Sequence, residues 1–230
     1  MPPRPFALAL VLVLLAASAG AQEAAPDSLP PQTDALDVRV LRAVYGVDAP
    51  AFTGPMRAVN AAAYPVFIGA APALGLGALA GGADLDPALR LGAAEGGALA
   101  LTYVLKRLVR RPRPYAAVAG VDARDRQHQG DDVFDPYSFP SGHTSTAFAL
   151  ATSLSLSYPE WYVVGPALAW AGAAGVARVW HGVHYPSDVL VGAGVGAGAA
   201  VLVHLLAPNV FGDDDREGGA VVPLVLVVPL

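Results

Sequence analysis

Five apolar stretches separated by polar breaks organise this chain: 59–79, 89–105, 144–158, 161–179 and 189–207. A helix that spans a bilayer needs about 20 residues, within a range of about 17–25. The third stretch falls short of that, but the turn before it can extend it. Alanine and glycine dominate all five. Gly192/Gly196 and Gly194/Gly198 form small-xxx-small pairs of the kind that let helices approach closely. Ahead of these stretches the period is helical from residue 35. Leu36, Val40, Leu41 and Val44 share one face, and Asp37, Arg39 and Arg42 lie off it. That pattern predicts an amphipathic helix at a membrane surface. Pro50 and Pro55 then break the chain before a second approach helix. The expected fold is all-α, a helical bundle integral to a membrane with about five spanning helices. No internal repeat is visible.

The ends read differently. Residues 1–21 have one charge, Arg4, before the apolar run 6–17, and Ala19-Gly20-Ala21 is a small-residue cleavage pattern. These features predict a secretory leader, the alternative being an uncleaved first membrane helix. Residues 22–35, with three prolines and two aspartates, read as a disordered linker. The domain proper is 36–207. The tail, 208–230, carries Asp213-Asp214-Asp215 and then an apolar piece broken by Pro223 and Pro229.

Composition supports the membrane reading. Of 230 residues 54% are hydrophobic and 14% charged, against about 25% charged in a soluble domain. A net charge of −5 without a basic stripe argues against a nucleic-acid partner. There is no cysteine, hence neither a disulfide framework nor a thiolate metal site.

Polar chemistry concentrates in three places. The first is Lys106-Arg107-Leu108-Val109-Arg110-Arg111-Pro112-Arg113-Pro114, at the head of a long polar break, 106–143. Lys106 is the only lysine, beside thirteen arginines. A compact ammonium suits a phosphate oxygen as a point charge, and Arg113 can add a planar, bidentate grip. A basic cluster that only sets membrane topology is the competing reading. The second is Phe139-Pro140-Ser141-Gly142-His143-Thr144. Here Gly142 permits close backbone approach, and the free amides of a helix start favour an anion. Ser141 can donate a hydroxyl, or it can simply cap the helix. Beside a bound anion His143 is favoured in its protonated form, as a general acid requires.

The third place is Arg178-Val179-Trp180-His181-Gly182-Val183-His184-Tyr185-Pro186-Ser187-Asp188. Between Ser141 and Pro208 the only formal charges are Glu160, Arg178 and Asp188. Charge in such apolar surroundings is costly unless paired or used. Pro186 and Ser187 mark a helix start, with Ser187 as a cap. Asp188, four residues after His184, can hold one imidazole nitrogen and leave the other free to attack. A buried Arg178–Asp188 ion pair is the alternative. His181 lacks that spacing and reads as lip or packing, and His204 as helix packing.

Taken together, Lys106-x6-Arg113-Pro114, Pro140-Ser141-Gly142-His143 and Arg178-x5-His184-x3-Asp188 resemble the type 2 phosphatidic acid phosphatase superfamily. Lipid phosphatases, bacterial class A acid phosphatases and vanadium haloperoxidases belong to it. The resemblance covers roughly residues 36–207. The departure is Ala177, where many members carry serine. The resemblance implies that Lys106, Arg113, Ser141, Gly142 and Arg178 bind phosphate. It also implies that His184 attacks phosphorus to form a phosphohistidine oriented by Asp188, and that His143 protonates the leaving oxygen. No metal or other cofactor is implied. The expected partners are a lipid phosphate or diphosphate and the bilayer.

Phosphatidic acid, phosphatidylglycerol phosphate, an isoprenyl diphosphate and a lipid A phosphate all fit the motifs, and oligomeric state is not encoded in them. A cleaved leader would put all three motifs on the extracytoplasmic (periplasmic) face of a bacterial-type cell membrane. The positive-inside rule pulls the other way, through the cluster 107–113. Part of that cluster is accounted for by anion binding. Other readings are a soluble periplasmic acid phosphatase, a vanadium-dependent haloperoxidase and a non-catalytic lipid binder.

Overall fold

The structure, a computed structural model, describes residues 35–124 and 135–207. The expected leader, nearly all of the expected linker, and the tail lie outside them. Seven helices and no strand occur among the described residues. They are α1 (Leu36–Tyr45), α2 (Pro50–Gly81), α3 (Asp86–Val109), α4 (Pro114–Ala117), α5 (Gly142–Ser157), α6 (Trp161–Trp180) and α7 (Pro186–Ala207). The expectation of an all-helical fold holds among the described residues.

At the centre stands α5, in contact with α3, α6 and α7. Its buried positions are small: Thr144, Ser145, Ala147, Ala149 and Ala151 are examples. Small side chains bring neighbouring backbones close, and α7 uses this most. A Cβ on Gly196 would lie 2.0 Å from the Ser145 carbonyl oxygen, and one on Gly192 2.7 Å from that of Ser141. The first small-residue pair is therefore a true packing contact. The second is not, because a Cβ on Gly194 would meet nothing within 4 Å.

Three helices, α2, α6 and α7, are long and apolar enough to cross a membrane. Two of the five expected spans fall outside that description for visible reasons. The 24 residues of α3 include Arg90, Glu95 and Lys106, and α5 has 16 residues. Large apolar side chains point outward from the bundle, among them Ile68, Leu76, Trp161, Leu190 and Leu205. Exposed apolar area of this extent marks a surface that is not meant for water.

Two expectations about the entry to the bundle need correction. Pro50 does not break the chain but opens α2, where its missing N–H costs nothing. The helix then continues through Pro55, Pro65 and Pro72 for 32 residues, so the approach helix and the first long helix are one. On α1 the inward face is Val38 and Leu41, packed on Val121, Val179 and Tyr185, while Leu36 is 71% exposed. Asp37, expected on the outer face, turns inward.

Candidate active site

Helix ends from four elements meet at one cavity of about 780 Å³. Lys106 comes from the last turn of α3, and Gly142 and His143 from the first turn of α5. Arg178 comes from the last turn of α6, and His184 from the turn before α7. Arg113 is the residue just before α4. Each of these six lines the cavity. The other two predicted residues, Ser141 and Asp188, are fully buried and do not line it.

The cationic wall is buried: Lys106, Arg113 and Arg178 are at most 6% exposed. Buried charge of one sign demands a counter-charge. Asp135 supplies it, lying 3.1 Å from Lys106 Nζ and 3.0 Å from Arg113 Nη2. Carbonyl groups complete the fixing. Lys106 donates to the Tyr137 oxygen at 2.5 Å, and Arg113 Nη2 donates to that of Asp135 at 2.8 Å. Arg178 Nη1 donates to Asn60 Oδ1 on α2 at 2.5 Å. The carboxylate between Lys106 and Arg113 marks where an anion fits.

His184 arrives by a sharp turn. Gly182 adopts a φ of 73°, and a Cβ there would meet the Asp122 carbonyl oxygen at 2.6 Å. Only glycine takes both the dihedral and the close approach without strain. His184 Nε2 then faces Arg113 Nη1 at 3.3 Å, and Nδ1 lies 3.5 Å from Asp188 Oδ2. Burial, and then the positive charges of Arg113, Lys106 and Arg178, hold the imidazole well below its usual pKa of 6.5. His184 is thus neutral at pH 7, with a lone pair available. His143 stands opposite on α5, its ring edge-on to Tyr64 at 4.8 Å and to Phe67 at 5.8 Å.

Asp188 faces His184 as the spacing predicts, but the alternative reading, a pair with Arg178, is replaced. Its ion-pair partner is not Arg178 but Arg111, whose Nη1 lies 2.7 Å from Oδ1. Oδ2 accepts from the Tyr185 amide at 2.8 Å, as an acidic residue in a first helical turn can. Arg111 also donates to Ser187 Oγ at 2.7 Å and to Asp37 Oδ2 at 2.6 Å, with its guanidinium 3.8 Å above the Tyr185 ring. Ser187 is therefore not the cap of α7. It sits inside the first turn and donates through N and Oγ to Asp37, at 2.9 and 2.5 Å. Burial pushes the Asp37 carboxyl up, but the hydrogen bonds from Ser187 and Arg111 outweigh it and leave the carboxyl below its usual value.

Ser141 caps α5: its Oγ accepts from the Thr144 amide and, at 3.0 Å, from Thr144 Oγ1. Its own amide donates to the Asp188 carbonyl at 3.0 Å, which joins the starts of α5 and α7. His181 is 4% exposed, bonds the Ala177 carbonyl and meets the Trp180 ring edge-on, a packing arrangement. His204 bonds the Ala200 carbonyl and approaches Ser157 Oγ, also a packing arrangement.

A family model described as the PAP2 superfamily matches residues 87–211, over half of the chain. The chain belongs to the PAP2 superfamily. Among its PAP2 relatives is a decaprenylphosphoryl-5-phosphoribose phosphatase of Mycobacterium tuberculosis. It is 36% identical over 108 residues, which are 46% of this chain and 53% of the relative. A lipid A 1-phosphatase of Porphyromonas gingivalis is 40% identical over 79 residues, 33% of this chain and 18% of that one. The chain spans about half the length, or less, of the curated relatives it matches. Among solved PAP2 structures, Aquifex aeolicus LpxE superposes with a TM-score of 0.56 at 25% identity, covering 74% of this chain and 96% of that one. A transmembrane PAP2-type phosphatidylglycerolphosphate phosphatase from Bacillus subtilis shares the fold, with a TM-score of 0.67 at 22% identity over 88% and 96% of the two chains. The three long apolar helices, α2, α6 and α7, are what supports a membrane location.

Proposed function

We propose that this chain is a membrane phosphatase. It removes phosphate from lipid phosphomonoesters or diphosphates through a covalent phosphohistidine, without a metal. The observation that carries this reading is His184: a buried neutral imidazole with Nε2 beside Arg113 and Nδ1 toward Asp188, in a cavity walled by three cations. The substrate phosphate displaces the Asp135 carboxylate and takes its place between Lys106, Arg113 and Arg178. The Gly142 amide completes the cradle, and Ser141, buried behind it, caps the helix start that presents that amide.

In the first step His184 Nε2 attacks phosphorus. The N–P bond forms as the P–O bond to the lipid breaks, and His143 gives its proton to the leaving oxygen. Asp188 stabilises the charge that develops on the His184 ring. In the second step His143 takes a proton from water, whose oxygen attacks phosphorus. The N–P bond breaks and orthophosphate leaves. Fixed cations provide the charge stabilisation that a metal ion supplies elsewhere.

The central α5 and α3 cross the membrane beside α2, α6 and α7, making five spans. Residues 1–21 are a leader, and the site opens on the extracytoplasmic face of the cell membrane. Phosphate release from a panel of lipid phosphates tests the reading. Activity should persist in chelator, be inhibited by vanadate, and vanish in His184→Ala. Loss of activity in chelator would overturn the metal-free mechanism.

A further inference from the structure

The cavity holds one acidic group that this mechanism does not use. Glu95, on α3, is 7% exposed and lines the cavity wall. Its Oε1 is buried and has no hydrogen-bond partner among the described residues. The other polar side chains on that stretch are satisfied within the protein. Thr102 Oγ1 donates to Ser145 Oγ at 2.9 Å, and Thr146 Oγ1 to the Gly142 carbonyl at 3.1 Å. A buried acceptor left without a donor is costly, and helices of this kind keep such groups for a use.

Position suggests the use. Glu95 precedes Lys106 by eleven residues on the same helix, about 16 Å along its axis at about 1.5 Å per residue. Both side chains lean toward the helix N-terminus, the longer Lys106 further than Glu95, and a phosphate bound at Lys106 adds its own reach. The gap from bound phosphorus to the carboxyl is then on the order of 10 Å, or roughly eight to ten bonds of extended chain. The wall nearby is apolar and aromatic, with Ile68, Leu99 and Tyr103. A lipid chain that enters from its phosphate end runs along that wall and meets the Glu95 carboxyl.

We infer that Glu95 is a specificity subsite for a hydroxyl or amide N–H carried on the lipid roughly eight to ten bonds from phosphorus. The inference rests on the phosphatase reading and narrows its substrate class. A lipid with a donor at that depth satisfies Oε1; a plain hydrocarbon chain leaves it buried and unpaired, and the site discriminates against it.

The test uses two synthetic phosphatidic acids in detergent micelles, identical except that one has a 3-hydroxytetradecanoyl chain at sn-2 and the other tetradecanoyl. That hydroxyl oxygen is eight bonds from phosphorus. Wild-type kcat/KM should favour the hydroxylated lipid by about tenfold or more. Glu95→Gln, which keeps Oε1, should retain most of that ratio. Glu95→Leu should bring it to within about twofold, as should Glu95→Met if the leucine variant does not fold. A wild-type ratio near one, or a ratio that survives Glu95→Leu, overturns the inference while leaving the phosphatase reading intact. Failure of the wild type to release phosphate from these two lipids and from every lipid of the panel overturns both.

Discussion

Residues that carry charge in an apolar bundle leave little freedom for interpretation, and His184 shows why. Burial and three neighbouring cations keep its ring neutral. In ring-labelled NMR of the detergent-solubilised protein, His184 should still be neutral at pH 6, and Arg113→Leu should move its titration back toward 6.5. The sign for stability follows. As pH falls below 6.5 the unfolded chain takes up this proton before the folded one does. Stability is therefore lost between 6.5 and the lower folded value. Lys106, Arg113, His143, Arg178 and His184 were legible in the sequence because their spacing within three motifs is specific. Arg111 was not, although it stood in view, because a basic cluster beside a membrane helix explains each of its members equally well. Asp37 carried no signal: it bonds Arg111 from 74 residues away, and no local pattern records that. Arg111→Leu leaves the buried Asp188 without its guanidinium. It should destabilise the protein by about 3 kcal/mol and lower kcat well more than it raises KM, as thermal melting and steady-state kinetics would report.

Among the elements, α5 and α7 depend most on the absence of side chains. Their contact at Gly196 has no room for a methyl group, whereas Gly194, two residues earlier, faces open space. Gly196→Ala should cost about 1–3 kcal/mol through overpacking. Gly194→Ala should be neutral or stabilising by at most about 1 kcal/mol. Melting temperatures in detergent distinguish the two, and equal effects would mean that the helices do not pack through Gly196. The five long helices were readable from the apolar stretches, whereas the four-residue α4 left no such signal. The path of α2 was not, because prolines read as breaks in sequence. A continuous helix tolerates them when surrounding helices supply the lost stability. The inward face of α1 was misread for a related reason. Leu36 and Leu41 are equivalent in a hydrophobicity pattern, and only the position of Val121, Val179 and Tyr185 decides which one is buried.

For the molecule as a whole, the outward apolar faces of α2, α6 and α7 predict that the protein stays in the pellet when membranes are washed with alkaline carbonate. Release into the supernatant would mean that these faces cover one another in a soluble assembly. A further consequence follows from the way α1 closes on α7. Asp37 and Ser187 are 150 residues apart, and their two hydrogen bonds join the earliest described helix to the last. During synthesis Asp37 emerges long before its partner exists, and the entropy of closing so long a loop is met only at the end. Arg111, Asp188 and through them His184 reach their final positions when the last helix arrives. On the proposed function, a partly inserted chain has its cations in place before its attacking group, so the order of synthesis would itself keep an unfinished copy from acting on the membrane that is receiving it.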